Sequence, residues 1–310
     1  LRNERRVVER LRADLDSGVW DAAHGPLRRA DSLVGAAPGH LRAGGLTAAS
    51  ARMLGGPMAK PQANVLVTIP ISHYCEKARW ALDRAGVVYV ERAHLQFVHR
   101  FAARRAGGGT TVPVLVCDAG VLADSSEILL YADDRAPADR RLYPDSETAR
   151  AEILGLEREF DDRLGPHGRR WMYDRLRRRS DLARRYGTAG VPAFERVMLP
   201  LLYPAVYAWI DRHLEITSAT ADESLDEVRA VFDAVAERLA DGRRYLCGDG
   251  FTAADLTFAA LSAPVLMPPG YGVQLPQPGE IPPAAAEVVE ELRAHTAGRH
   301  ALAMFGDHRS

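Results

Sequence analysis

The sequence predicts an α+β fold: a mixed four-stranded sheet with helices against it, followed by an all-helical domain. Three observations carry this reading. Between Val65 and Leu122, short β-branched runs alternate with a helical pattern and with glycine-rich breaks. From Glu147 onward the apolar residues recur at helical spacing. Between these regions lies "RAPADRRLYPDS", a Pro-, Asp- and Arg-rich stretch with the composition of a linker. The expected boundaries are an N-terminal extension over 1–63, an α/β unit over 64–135, a linker over 136–145 and a helical unit over 146–310.

The first strand is "NVLVTI", a β-branched run of strand length. "CEKARWALDRAG" follows as a helix, with Ala78, Ala81, Leu82 and Ala85 at helical spacing and Gly86 as its stop. "VVYVERA" is the second strand, and "FVHRFAARR" is a short helix or an irregular turn. "VPVLVCD" and "VLAD" are strands joined by a tight turn at Ala119-Gly120, which makes them an antiparallel hairpin. "SSEILLYADD" is a helix opened by Asp124, Ser125 and Ser126. Strand–helix–strand at the start implies a parallel pair with a right-handed crossover, so the sheet is mixed.

In the helical unit, Leu225, Val228, Val231, Phe232, Val235 and Leu239 mark one helix face. "TAADLTFAAL" opens on Thr252 with Asp255 three residues later, a capping box with Asp in place of Glu. The longest apolar run, "VMLPLLYPAVYAWI" from Val197 to Ile210, is too short to span a bilayer and is broken by Pro200 and Pro204; a buried, kinked helix is expected. Prolines crowd the chain between Pro264 and Pro283, as in an extended loop, and "AAAEVVEELRAH" is a late helix.

Composition narrows the function classes. Hydrophobic residues make up 47% and charged residues 26% of the 310, the balance of an ordinary globular protein. A net charge of −1 gives no overall pull toward nucleic acid or anionic membrane. Cys75, Cys117 and Cys247 are odd in number and far apart, which argues against a disulfide scaffold or a metal site and for a reducing, cytoplasmic location. Residues 1–57 are read either as a non-native extension upstream of Met58 or as a helical arm, since Val7, Val8 and Leu11 have helical spacing.

Chemistry concentrates in "SHYC", Ser72 to Cys75, at the strand-to-helix junction. Ser72 stands where a hydroxyl and the positive end of a helix act together on an anion; the plainer reading is a cap. Cys75 would be inert if buried in the helix. The arginines from Arg169 to Arg185 interleave with Trp171 and Tyr173, yet Asp174 and Asp181 make a solvated, paired helix face the simpler reading.

From Val65 onward the sequence resembles the glutathione S-transferase superfamily. The resemblance rests on "SHYCEKARWAL", "TVPVL", "DSSEIL" and "GDGFTAADLTFAAL", in that order. It implies a thioredoxin-like domain followed by a helical domain, glutathione as cosubstrate, no metal, a small hydrophobic electrophile and a homodimer. It implies that Ser72 stabilises the glutathione thiolate, with Cys75 as a redox competitor. His73, Val112 and Pro113 (with a cis bond between the last two), Asp124 and Ser125 would bind glutathione. His99, Arg100, Arg104 or Arg105 would meet its glycine carboxylate, and Trp171, Tyr173, Tyr203, Tyr207 or Trp209 would line the electrophile pocket. Tyr74 would pack on the cis-proline loop, and Asp255 would cap its helix. Glutathione-dependent disulfide reduction or peroxide reduction, and ligand binding without catalysis, stand as alternatives.

Overall fold

The computed structural model describes residues 63–177, 179–213 and 215–309. Expectations about residues 1–62 lie outside it. Strands β1 (Asn64–Thr68), β2 (Tyr89–Ala93), β3 (Val114–Cys117) and β4 (Gly120–Leu122) form one sheet in the order β2-β1-β3-β4. β1 and β2 run parallel across helix α1 (His73–Arg84); β1–β3 and β3–β4 are antiparallel. Gly120 takes φ +106° in the β3–β4 turn, a value that side-chain-bearing residues rarely adopt.

Alternation along the strands decides which helix lies on which face. Leu66 and Leu115 pair across β1 and β3 and join the core beneath α1 and α3 (Ser125–Arg135). Val67 and Val114 pair one step along and point to the opposite face. There they meet Ala102 and Ala103 of α2 (His99–Ala106) and Leu199 of α7 (Ala193–His213).

The helical region begins with α4 (Glu147–Glu159). A π turn over Phe160–Leu164 joins it without a break to α5 (Gly165–Leu176). After α6 (Ser180–Tyr186) and α7 come α8 (Ser218–Arg238), α9 (Ala253–Leu266), α10 (Pro283–Ala294) and α11 (Thr296–His308). Every residue of α9 is buried, and it packs on α1, α4, α5 and α11. Asp255 caps α9: its carboxylate accepts from the Thr252 amide at 3.0 Å and hydroxyl at 2.8 Å, and from the Leu246 amide at 2.8 Å.

Two expectations need correction. The apolar run in α7 is helical, but Val197 is 78% and Leu201 63% exposed. The helix lies on the second face of the sheet rather than inside the bundle, held by Leu199 and by the buried Glu195. Pro264 does not end α9; the helix runs two residues past it, to a left-handed cap at Met267. Among the described residues no helix is long and apolar enough to cross a membrane.

Candidate active site

β1 ends at Thr68, and the turn that follows delivers Ser72 to the N-cap of α1. Ser72 has extended backbone angles, its Oγ accepts the Cys75 amide at 3.4 Å, and its carbonyl accepts the Glu76 amide at 2.9 Å. Accepting leaves the hydroxyl proton free to donate elsewhere. Ser72 lines a cleft of about 100 Å³ together with His73, Gln96, His99, Val112 and Arg169. The Val112–Pro113 bond is cis, as expected, and Pro113 is buried behind Val112.

Burial, more than charge, sets the electrostatics of the two histidines. His73 is 3% exposed, and burial, reinforced by the Arg169 guanidinium, holds its pKa down to about 3. Burial and the neighbouring Arg100 hold His99 down to about 4. Both imidazoles are neutral at pH 7. Among the described residues, His73 Nε2, His99 Nδ1 and Arg169 Nε are buried without a hydrogen-bond partner. His73 is enclosed as the first residue of α1.

Cys75 lies one turn into α1, fully buried, and desolvation pushes its thiol above the ordinary range. Asp124 caps α3 by accepting the Ser126 amide at 2.8 Å, and Ser125 is buried as the first residue of that helix. Neither lines the Ser72 cleft. Tyr74 lies between the two regions: Arg169 and Asp124 both act on its hydroxyl, whose pKa burial raises. Tyr74 does not confine itself to the cis-proline loop. Its hydroxyl reaches the helical region and donates to the Asp161 carbonyl at 2.9 Å. Gly165 makes this approach feasible, because a Cβ there would lie 2.2 Å from Tyr74 Oη.

Of the proposed cations, His99 lines the cleft and Arg100, Arg104 and Arg105 do not. Of the proposed aromatics, Tyr173 lines it, while Trp171 is core and Tyr203 donates to the Arg177 carbonyl at 3.2 Å. The side chains of Tyr207 and Trp209 lie outside the described residues. The sequence reading missed Gln96, and it assigned Arg169 to the solvated arginine face. The signal was present as spacing: Arg169, Met172, Tyr173 and Leu176 stand at i, i+3, i+4 and i+7, on one side of α5. The expected pairing is present, with Arg175 and Arg177 on Asp174 and Arg179 on Asp181, but Asp174 is buried rather than solvated.

A second, apolar cleft adjoins the first and shares Ile71, Met172 and Tyr173 with it. Leu176, Leu182 and Tyr186 continue its wall. A roomier cleft, about 540 Å³, lies elsewhere, between the segment around Tyr143 and the segment around Cys247. Ser72 is not part of it, and burial raises the Cys247 thiol.

Family models match at two places: the glutathione S-transferase N-terminal domain over residues 66–140, and the C-terminal domain over residues 218–262. A glutathione S-transferase from Xanthobacter autotrophicus Py2 superposes with a TM-score of 0.51 at 18% identity, covering 79% of this chain and 93% of its own. One from Sinorhizobium meliloti 1021 gives 0.49 at 21% identity, covering 79% and 99%. No curated protein sequence matches. The two domain matches fall in the family's order on a mixed sheet followed by helices. The chain therefore belongs to the glutathione S-transferase superfamily.

Proposed function

We propose that the chain is a glutathione transferase in which the Ser72 hydroxyl donates to the glutathione sulfur and holds it as thiolate. The thiolate then attacks a small electrophile seated in the apolar cleft. One observation carries the reading: the Ser72 hydroxyl caps α1 at the wall of a cleft that also includes Val112 of the cis-proline segment. A free thiol has a pKa of about 8.5, and lowering it by two units takes roughly 2.7 kcal/mol. A hydrogen bond to a charged group contributes about 1.5–3 kcal/mol, and a helix N-terminus adds to it.

Val112 would meet the cysteinyl backbone of glutathione as an added strand does. Asp124, Ser125 and the N-terminus of α3 would take its γ-glutamyl end, and His99 or Gln96 its glycine end. His73, neutral and with Nε2 free, would donate or accept one hydrogen bond rather than supply charge. A redox role for Cys75 is disfavoured by its burial and raised thiol pKa. A cytoplasmic two-fold dimer of this chain is part of the same reading, and sedimentation of the purified protein tests the assembly.

The deciding experiment combines calorimetric titration with glutathione and conjugation of 1-chloro-2,4-dinitrobenzene, in wild type and Ser72→Ala. The reading expects binding in both and conjugation impaired in the variant. Wild-type protein that neither binds glutathione nor conjugates the chloride would refute it.

A further inference from the structure

We propose that Arg169 makes this site selective for electrophiles that carry a carboxylate on an apolar body. The inference rests on the transferase reading and names the class of acceptor. Arg169, Met172, Tyr173 and Leu176 form one stripe along α5. The Arg169 end of the stripe lines the Ser72 cleft, and the Leu176 end lines the apolar cleft. Met172 and Tyr173 line both, so a ligand lying along the stripe has a cation at one end and apolar walls at the other.

The charge of Arg169 is unspent. On the same continuous helix, Arg163 bonds Glu159 and Glu227, Arg170 bonds Ser224, and Arg175 bonds Asp222. Arg169 instead has a buried Nε with no partner among the described residues. Leaving a guanidinium N–H dry and unpaired is costly, and a carboxylate is the anion whose geometry matches its fork. Among the residues that line this cleft, Arg169 is the one with a permanent charge; Arg100 lies near His99, and Asp124, Asp161 and Asp162 lie near Tyr74.

Two aryl chlorides test this. With each, the thiolate sulfur bonds to the ring carbon and chloride leaves with the electron pair. The pair is 4-chloro-3-nitrobenzoate and the neutral 1-chloro-2,4-dinitrobenzene, each compared between wild type, Arg169→Ala and Arg169→Lys. In Arg169→Ala, kcat/KM for the benzoate should fall about 10- to 100-fold. The neutral chloride should lose at least about tenfold less than the benzoate, with Arg169→Lys intermediate. Equal losses on both chlorides would overturn the assignment.

A binding arm needs no thiol. Wild type should bind 4-phenylbutyrate at least about tenfold more tightly than 4-phenylbutan-1-ol by calorimetry, and Arg169→Ala should abolish the preference. Equal affinities in wild type would sink the proposal. Absent conjugation of either chloride would count against the transferase reading, while this arm would still decide the role of Arg169.

Discussion

Two groups of buried polar atoms flank α1, and the protein treats them in opposite ways. On the helical side, Lys77 is fully buried and its Nζ lies 2.8 Å from each of Ser126 Oγ, Asp161 Oδ2 and Glu157 Oε1. Tyr143 donates to the other Glu157 oxygen at 2.5 Å. A single lysine thus ties α1, α3 and the α4–π segment together, through one hydroxyl and two carboxylates. A few residues earlier, at the mouth of the same helix, His73 Nε2, His99 Nδ1 and Arg169 Nε are equally dry and have no partner among the described residues. The Lys77 charge is thus satisfied where the fold joins its layers, although Glu157 Oε1 and Asp161 Oδ1 of that cluster make no hydrogen bond of their own among the described residues. The three orphaned atoms at the mouth of α1 differ in belonging to residues that line the Ser72 cleft.

The largest effect expected from this contrast is on the satisfied side. Lys77→Met leaves Glu157 and Asp161 without their cation and should cost about 3–5 kcal/mol of stability in urea unfolding. A loss below about 1 kcal/mol would mean that the cluster is not what binds the layers. On the unsatisfied side, Ser72→Ala should lower kcat/KM for conjugation about 10- to 100-fold and move the alkaline rise of the pH–rate profile upward. Its stability should drop only by about 1 kcal/mol, the size of a lost cap. A stability loss as large as that of Lys77→Met would erase the distinction between the two sides.

The His73 imidazole provides a pH test. Its folded pKa, about 3, lies below the ordinary value of 6.5, so between those limits the unfolded chain binds the proton and the folded one does not. Stability should fall as pH drops through that window, by up to about 1.4 kcal/mol per pH unit from this group. His99 adds a similar slope down to about pH 4. His73→Asn should flatten the acid limb; an unchanged slope would mean that His73 is reached by water. The smallest effect is expected from Cys75→Ala, which should leave conjugation within about twofold. Loss of peroxide or disulfide reduction in that variant would restore Cys75 as a rival centre.

Much of the sheet was legible because period-two alternation and turn residues are local signals. "NVLVT" and "VPVLVC" announce their strands, and Gly120 announces the turn. Ser72 was legible as a cap, and the Thr252–Asp255 pair as a box, because capping is written within four residues. What escaped depended on distant partners. An apolar run with two prolines reads as core, yet α7 crosses to the far face of the sheet. There its buried Glu195 accepts the Leu95 amide at 2.9 Å and lies 2.7 Å from His94 Nδ1, a hundred residues earlier in the chain. Nothing local marks Lys77 for burial, because its partners Glu157 and Asp161 come from the helical region. Arg169 stands among arginines of identical local appearance, and only the cleft opposite α1 sets it apart.

The π turn at Phe160–Leu164 has a consequence for how such a site can change. It inserts roughly one residue into an otherwise continuous helix, and each residue of an α-helix advances about 100° around the axis. Deleting that residue would keep every side chain of α5 and turn the whole stripe away from the clefts. Acceptor preference is therefore encoded partly in helix phase, and a one-codon deletion upstream could replace it wholesale while leaving Arg169, Met172 and Tyr173 in the gene.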